Sequence, residues 1–146
     1  MDQQNTGRAD WMQQVMTLRV EVGENRVVGQ VPEGKLTIIP ITGGSFEGPG
    51  IRGKVCAGGA DWNIAVSETL GHVLARYWVE TDDGAIIAVE NEGWLDPREQ
   101  NAMLRTTPRF QCDANGPYAH LVRGCYAGEL RGLGPNAVEV VVWRLR

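Results

Sequence analysis

Apolar and polar residues alternate with a period of two along much of this chain. Met16, Leu18, Val20 and Val22 alternate with Thr17, Arg19 and Glu21, the pattern of a strand with one buried face. Residues 35–42, rich in Ile and Thr, predict a second strand; Pro40 removes a ladder donor, which places that strand at an edge or bulges it there. Residues 46–55 read as a glycine-interrupted strand that curls easily, and residues 62–66 as another. Residues 72–80, the turn Thr81-Asp82-Asp83-Gly84 and residues 85–91 form a strand, Asp-Gly turn, strand hairpin. Residues 104–111, 118–127 and 137–145 complete the expected strands. Residues 11–14 can open a short helix, residues 23–34 read as a loop, and residues 92–100 as an irregular or briefly helical insertion. No long stretch keeps a 3.6-residue period. With 19 glycines and turns at this spacing, the chain is expected to be all-β, a small antiparallel barrel with an interior pocket.

Length and charge narrow the class. At 146 residues without a linker or repeat, one domain is expected: a flexible arm over residues 1–13 and a barrel over 14–146. A net charge of −4 and a pI near 5.2 argue against nucleic acid or an anionic membrane as partner. No apolar run approaches the roughly 20 residues that span a bilayer. Residues 1–10 lack the basic start and apolar core of a signal peptide, so a cytoplasmic location is expected. Cys56, Cys112 and Cys125 show no Cys-x-x-Cys spacing, which suits thiols in a reducing compartment.

Chemistry concentrates around the glycine-rich stretch of residues 42–62. Its glycines bracket Glu47, Arg52 and Asp61 with Phe46 and Trp62 beside the acids, and read as turns that aim polar groups at one place. A carboxylate in an apolar mouth has a raised pKa and can move protons near neutrality, so Glu47 and Asp61 are the candidate acid and base. The alternatives are a surface ion pair for Glu47 and a turn cap for Asp61. On residues 72–80, Val73, Ala75, Tyr77 and Val79 face one way and Leu74, Arg76, Trp78 and Glu80 the other. Arg76 needs a carboxylate or a bound anion if it is buried. Arg105 and Arg109 share one face if no bulge intervenes at Pro108, and their forks suit a carboxylate, enolate or phosphate. Each arginine has a structural ion pair as its alternative. Trp62, Tyr77, Trp78, Asn91, Arg109, Tyr118 and His120 are the candidate ligand-binding residues, with His120 a further possible base.

Several signals are set aside. Gly48-Pro49-Gly50-Ile51-Arg52-Gly53 matches the dinucleotide glycine pattern, but no helix follows it. His72 and His120 lack metal-ligand spacing, and no nucleophile elbow is visible. No metal and no cofactor are therefore expected.

Residues 39–49, Gly58-Gly59-Ala60-Asp61-Trp62, Ala75-Arg76-Tyr77, Thr81-Asp82-Asp83-Gly84-Ala85 and Arg105-Thr106-Thr107-Pro108-Arg109-Phe110 resemble the domain-of-unknown-function 3237 family, in order and over nearly the whole chain from Leu18. The resemblance implies a calycin-like (lipocalin-type) barrel found in bacteria or fungi, and little about activity. One block departs: where the family reads Tyr-x-Trp-Leu-Asn, this chain has Tyr118-Ala119-His120-Leu121-Val122, so ligand contacts at His120 and Val122 do not carry over.

Three functions fit these residues. In the first, a cofactor-free lyase, isomerase or cyclase acts on a small aromatic or polyketide-like carboxylate or enolizable compound, with Glu47 or Asp61 moving the proton and Arg76 and Arg105 steadying developing charge. In the second, the barrel carries a small hydrophobic ligand without turnover. In the third, an exposed apolar strand face joins two copies in a homodimer or docks another protein.

Overall fold

The computed structural model describes residues 9–99 and 103–146; residues 1–8 of the expected arm, and Gln100 at the end of the expected insertion, lie outside the described residues. Among the described residues the strands are β1 (Met12–Val22), β2 (Arg26–Val31), β3 (Gly34–Gly48), β4 (Ile51–Val55), β5 (Ala60–Ala65), β6 (Gly71–Thr81), β7 (Ile86–Leu95), β8 (Leu104–Gln111), β9 (Cys125–Gly132) and β10 (Ala137–Leu145), with one 3-10 turn at Ala119–Arg123. β3 pairs with β1, and β1 continues through β10, β9, β8, β7 and β6. β4 and β5 lie end to end between β6 and β3, which closes an eight-stranded antiparallel barrel. β2 pairs only with the first half of β3 and stands outside the closed wall.

The alternation explains which residues fill the barrel. Met16, Leu18 and Val20 on β1 meet Ile41 and Phe46 on β3, Val55, Tyr77 and Val79 across the wall, and Val140 and Val142 on β10. At one end, β8 and β9 stay paired only from Leu104 to Thr106 and then separate. The 3-10 turn fills that gap: Leu121 is buried, its carbonyl accepts the Tyr126 hydroxyl at 2.9 Å, and Phe110 meets Tyr126 edge-on at 5.0 Å. Large side chains thus plug one end of the lumen. Ala75 and Gly128 sit on the inner face nearer the other end.

Five expectations change. Residues 35–42 and 46–55 are not separate strands, since β3 runs unbroken through Gly43-Gly44 and turns only at Pro49-Gly50. The ladder to β1 shifts between Glu21 and Val22, which lets β3 serve β2 and β5 with its first half and β1 and β4 with its second. Residues 23–34 contain β2, hidden in the sequence because Val27 and Val28 are adjacent rather than alternating and both are exposed. β7 continues to Leu95, and residues 12–14 belong to β1 rather than a helix. Tyr118 and His120 lie at the 3-10 turn, not on a strand.

Candidate inner site

Cross-strand partners share a face, so the register locates each candidate. Asp61 on β5 is opposite Ala75 on β6, and Ala75 is opposite Asn91 on β7. Asn91 is opposite Pro108 on β8, while Thr106, two residues earlier, is opposite Gly93 and Gly128. Because Tyr77 and Val79 lie in the core on the same parity as Ala75, Asp61, Asn91 and Thr106 all face the lumen. Ala75, between the first two, carries only a methyl group. A Cβ on Gly128 would come within 2.4 Å of Thr106 Oγ1, so the bare backbone of β9 makes the space that Thr106 occupies.

This inner set is electrostatically unusual. Asn91 and Thr106 are each 4% exposed, and Asn91 Oδ1 and Thr106 Oγ1 have no hydrogen-bond partner. A buried polar group left unpaired costs about 1–3 kcal/mol. Burial holds the Asp61 carboxyl above the ordinary value of 3.8, although the Leu74 N–H, a hydrogen bond from Asn63 and the nearby His72 each pull it back. The β5–β6 ladder pairs Asp61 with Ala75 and Ile64 with His72 but skips the residues between. Asp61 Oδ1 accepts the Leu74 N–H in that gap at 3.0 Å, so the carboxylate also mends the sheet. One acid and two orphaned hydrogen-bonding groups, with no cation among the three, face one lumen.

The other candidates are elsewhere. Phe46 is buried in the core, and the alternation turns Glu47 to the outer face, exposed and opposite Arg52. Glu47 therefore does not join Asp61, because β3 runs straight through Gly43-Gly44, where a turn was expected. Glu47→Gln is expected to change the unfolding free energy by less than about 0.5 kcal/mol in urea titrations. Arg76, Arg105 and Arg109 also face outward. Arg76 Nη2 lies 2.8 Å from Glu90 Oε2, Arg109 Nη1 lies 3.6 Å from Glu90 Oε1, and Arg105 Nη2 lies 3.5 Å from Glu129 Oε2. No register shift occurs at Pro108, so Arg105 and Arg109 do share a face, but it is the outer one. Tyr77 is core, and burial pushes its phenol up.

Trp62 and Trp78 are on the outside as well. With Arg76, Glu90, Arg109 and Val122 they border a groove of about 770 Å³. Asp61 and Trp62, adjacent in sequence, thus serve opposite sides of the wall. Tyr118 and His120 flank a separate hollow of about 270 Å³ at the plugged end. There the Tyr118 hydroxyl donates to Asp83 at 2.9 Å, and the hydroxyls of Thr81 and Tyr118 hold the Asp83 carboxyl below its usual range. His120 shares no wall with Asp61. Thr106 was not among the expected site residues. Its signal is the alternation itself: once Arg105 and Arg109 face solvent, Thr106 must face in. Among the described residues no three His, Cys, Asp or Glu side chains gather as metal ligands, and no helix is long and apolar enough to cross a membrane.

The fold and sequence have relatives. A UPF0311 protein of Rhodopseudomonas palustris strain CGA009 is 42% identical over 113 residues, 66% of this chain and 72% of that protein. A UPF0311 protein of strain TIE-1 is 43% identical over 79 residues, 54% of this chain and 52% of that protein, so the match spans about half its length. Among crystal structures, a conserved protein of unknown function from Rhodopseudomonas palustris superposes with a TM-score of 0.82 at 31% identity, covering 92% of this chain and 97% of that one. A structure described as an enzyme from Penicillium herquei superposes at 0.74 with 20% identity, covering 92% and 93%, a likeness of fold. The model of the family of proteins of unknown function DUF3237 matches residues 12–145, and the chain belongs to that family.

Proposed function

We propose that the lumen around Asp61, Asn91 and Thr106 binds a small neutral molecule carrying hydroxyl or carbonyl groups, and that Asp61 moves a proton on it. The observation that carries this reading is the pair of unpartnered atoms, Asn91 Oδ1 and Thr106 Oγ1, on the same inner face as a desolvated carboxyl. A group whose pKa is raised by burial is suited to take up or release a proton near neutrality. Asn91 Oδ1 accepts a hydrogen bond, and the Thr106 hydroxyl donates or accepts one; together they orient a phenol, enol or ketone. The guanidinium groups expected to hold a carboxylate lie outside, so the substrate class narrows to enolizable ketones and phenolic, polyketide-like compounds without an acid group. The chemistry is isomerase- or lyase-like proton transfer. A barrel of this shape also occurs in an enzyme, which is compatible with catalysis here.

The test uses 2-tetralone, a bicyclic enolizable ketone. Wild-type protein in deuterated buffer is expected to accelerate exchange of its α-protons, read by NMR. Thr106→Val should weaken binding about tenfold while leaving stability unchanged or raised by about 1 kcal/mol, because it removes an orphaned hydroxyl rather than a bonded one. If Thr106→Val destabilises the protein by more than about 2 kcal/mol, Thr106 is structural and the reading fails. The capture of the Leu74 N–H by Asp61 favours a second reading, a carrier in which Asp61 holds the wall. Binding of 2-tetralone without any exchange would select it.

A further inference from the structure

The outer face carries a separate cluster of charged and aromatic side chains. Arg76, Glu90 and Arg109 stand side by side across β6, β7 and β8, and Glu90 serves both arginines. Its Oε2 accepts the Arg76 Nε–H at 3.0 Å and lies 2.8 Å from Nη2. Its Oε1 is 3.6 Å from Arg109 Nη1, beyond good hydrogen-bonding distance. Two guanidinium groups against one carboxylate leave one positive charge in excess, in a chain whose net charge is −4. Arg109 is the freer partner, with its side chain 80% exposed and no hydrogen bond of its own among the described residues.

Beside this charge lie two indoles. Trp78 follows Arg76 by two residues on the same face, and Trp62 flanks it on β5; they are 37% and 41% exposed. Trp78 is held in place: a Cβ on Gly58 would come within 2.6 Å of its Cη2, and the φ of +126° at Gly58 favours glycine. The ring therefore rests on bare backbone at the β4–β5 junction. The surrounding groove, about 770 Å³, is within the range of small-molecule sites.

We propose that this groove binds a flat aromatic carboxylate, with Arg109 bidentate to the carboxylate and the ring laid against Trp78 and Trp62. A planar guanidinium fork matches a carboxylate geometrically, and exposed indole faces reward a flat ring. The site lies across the wall from the lumen and does not depend on the reading given for Asp61.

Calorimetric titration with 2-naphthoate tests it. Wild-type protein is expected to bind with a Kd below 1 mM, a threshold that corresponds to about −4.1 kcal/mol. Arg109→Gln and Trp78→Leu should each raise the Kd at least tenfold, while Asp61→Asn leaves it unchanged. Cyclohexanecarboxylate should bind at least tenfold more weakly than 2-naphthoate. Absence of binding at millimolar concentration, an unchanged Kd in Arg109→Gln, or loss of binding in Asp61→Asn overturns the site. Equal affinity for the saturated acid overturns the aromatic class.

Discussion

Gly44→Ala is expected to destabilise the barrel by roughly 4 kcal/mol, through steric overlap and backbone strain together. Gly44 is opposite Val20 where β3 crosses to β1, and its φ is +137°. A Cβ there would stand 1.9 Å from the Arg19 carbonyl oxygen, which is backbone and cannot rotate away. β1–β3 is the contact that closes the wall, so a shift there opens the cylinder. For a domain of this size, the loss corresponds to a fall in Tm of roughly 10–15 °C. Gly132→Ala is the control, because nothing lies within 4 Å of its added carbon; it should change stability by less than about 0.5 kcal/mol. Urea unfolding of the two variants checks both. Equal behaviour would mean that the β1–β3 approach is looser than described.

Asp61→Asn has the largest expected effect on activity. Removing a general acid or base costs a factor of about 10²–10⁴, so α-proton exchange of 2-tetralone should fall by at least a hundredfold. Binding should persist, since the amide still fills the site and its Oδ1 still accepts the Leu74 N–H. Stability moves in a predictable direction. The folded protein holds the Asp61 proton more tightly than the unfolded chain does. That preference stabilises the fold fully below the ordinary carboxyl value of 3.8 and is lost as pH rises through the higher folded value. The substitution abolishes this dependence, so Asp61→Asn should gain stability relative to wild type between about pH 4 and neutrality. Thermal unfolding of both proteins across that range checks the slope. A relative loss with rising pH would mean that the ionised carboxylate is favoured in the fold.

The barrel was legible because its strands alternate cleanly. Met16 to Val22, the Asp82-Asp83-Gly84 turn and the run to Leu145 each predict their element without tertiary information. β2 was not legible, because Val27 and Val28 are neighbours and both stay exposed on a ribbon outside the wall. The 3-10 turn was hidden for another reason: residues 118–127 have strand composition, and only the divergence of β8 from β9 makes a plug necessary.

The site was half legible. Asp61 is legible as an acid beside an apolar wall and Asn91 only as a candidate ligand-binding residue, and the register brings them to one face. Glu47 falls with them only if Gly43-Gly44 is a turn, whereas both glycines lie inside one strand and Gly44 permits close approach to β1. That one error in phase moves a side chain across the wall. The arginines posed the same difficulty: even spacing tells that Arg105 and Arg109 share a face, but not which face. Thr106 follows as soon as that choice is made.

The central claim is that ligand enters the lumen beside Asp61, Asn91 and Thr106. The direct measurement is an NMR titration of 2-tetralone against protein with assigned side-chain amide and methyl resonances. Progressive shifts of the Asn91 side-chain amide and the Thr106 methyl are predicted, with the indole N–H signals of Trp62 and Trp78 unmoved. Shifts confined to those indoles, with Asn91 and Thr106 silent, would contradict the account.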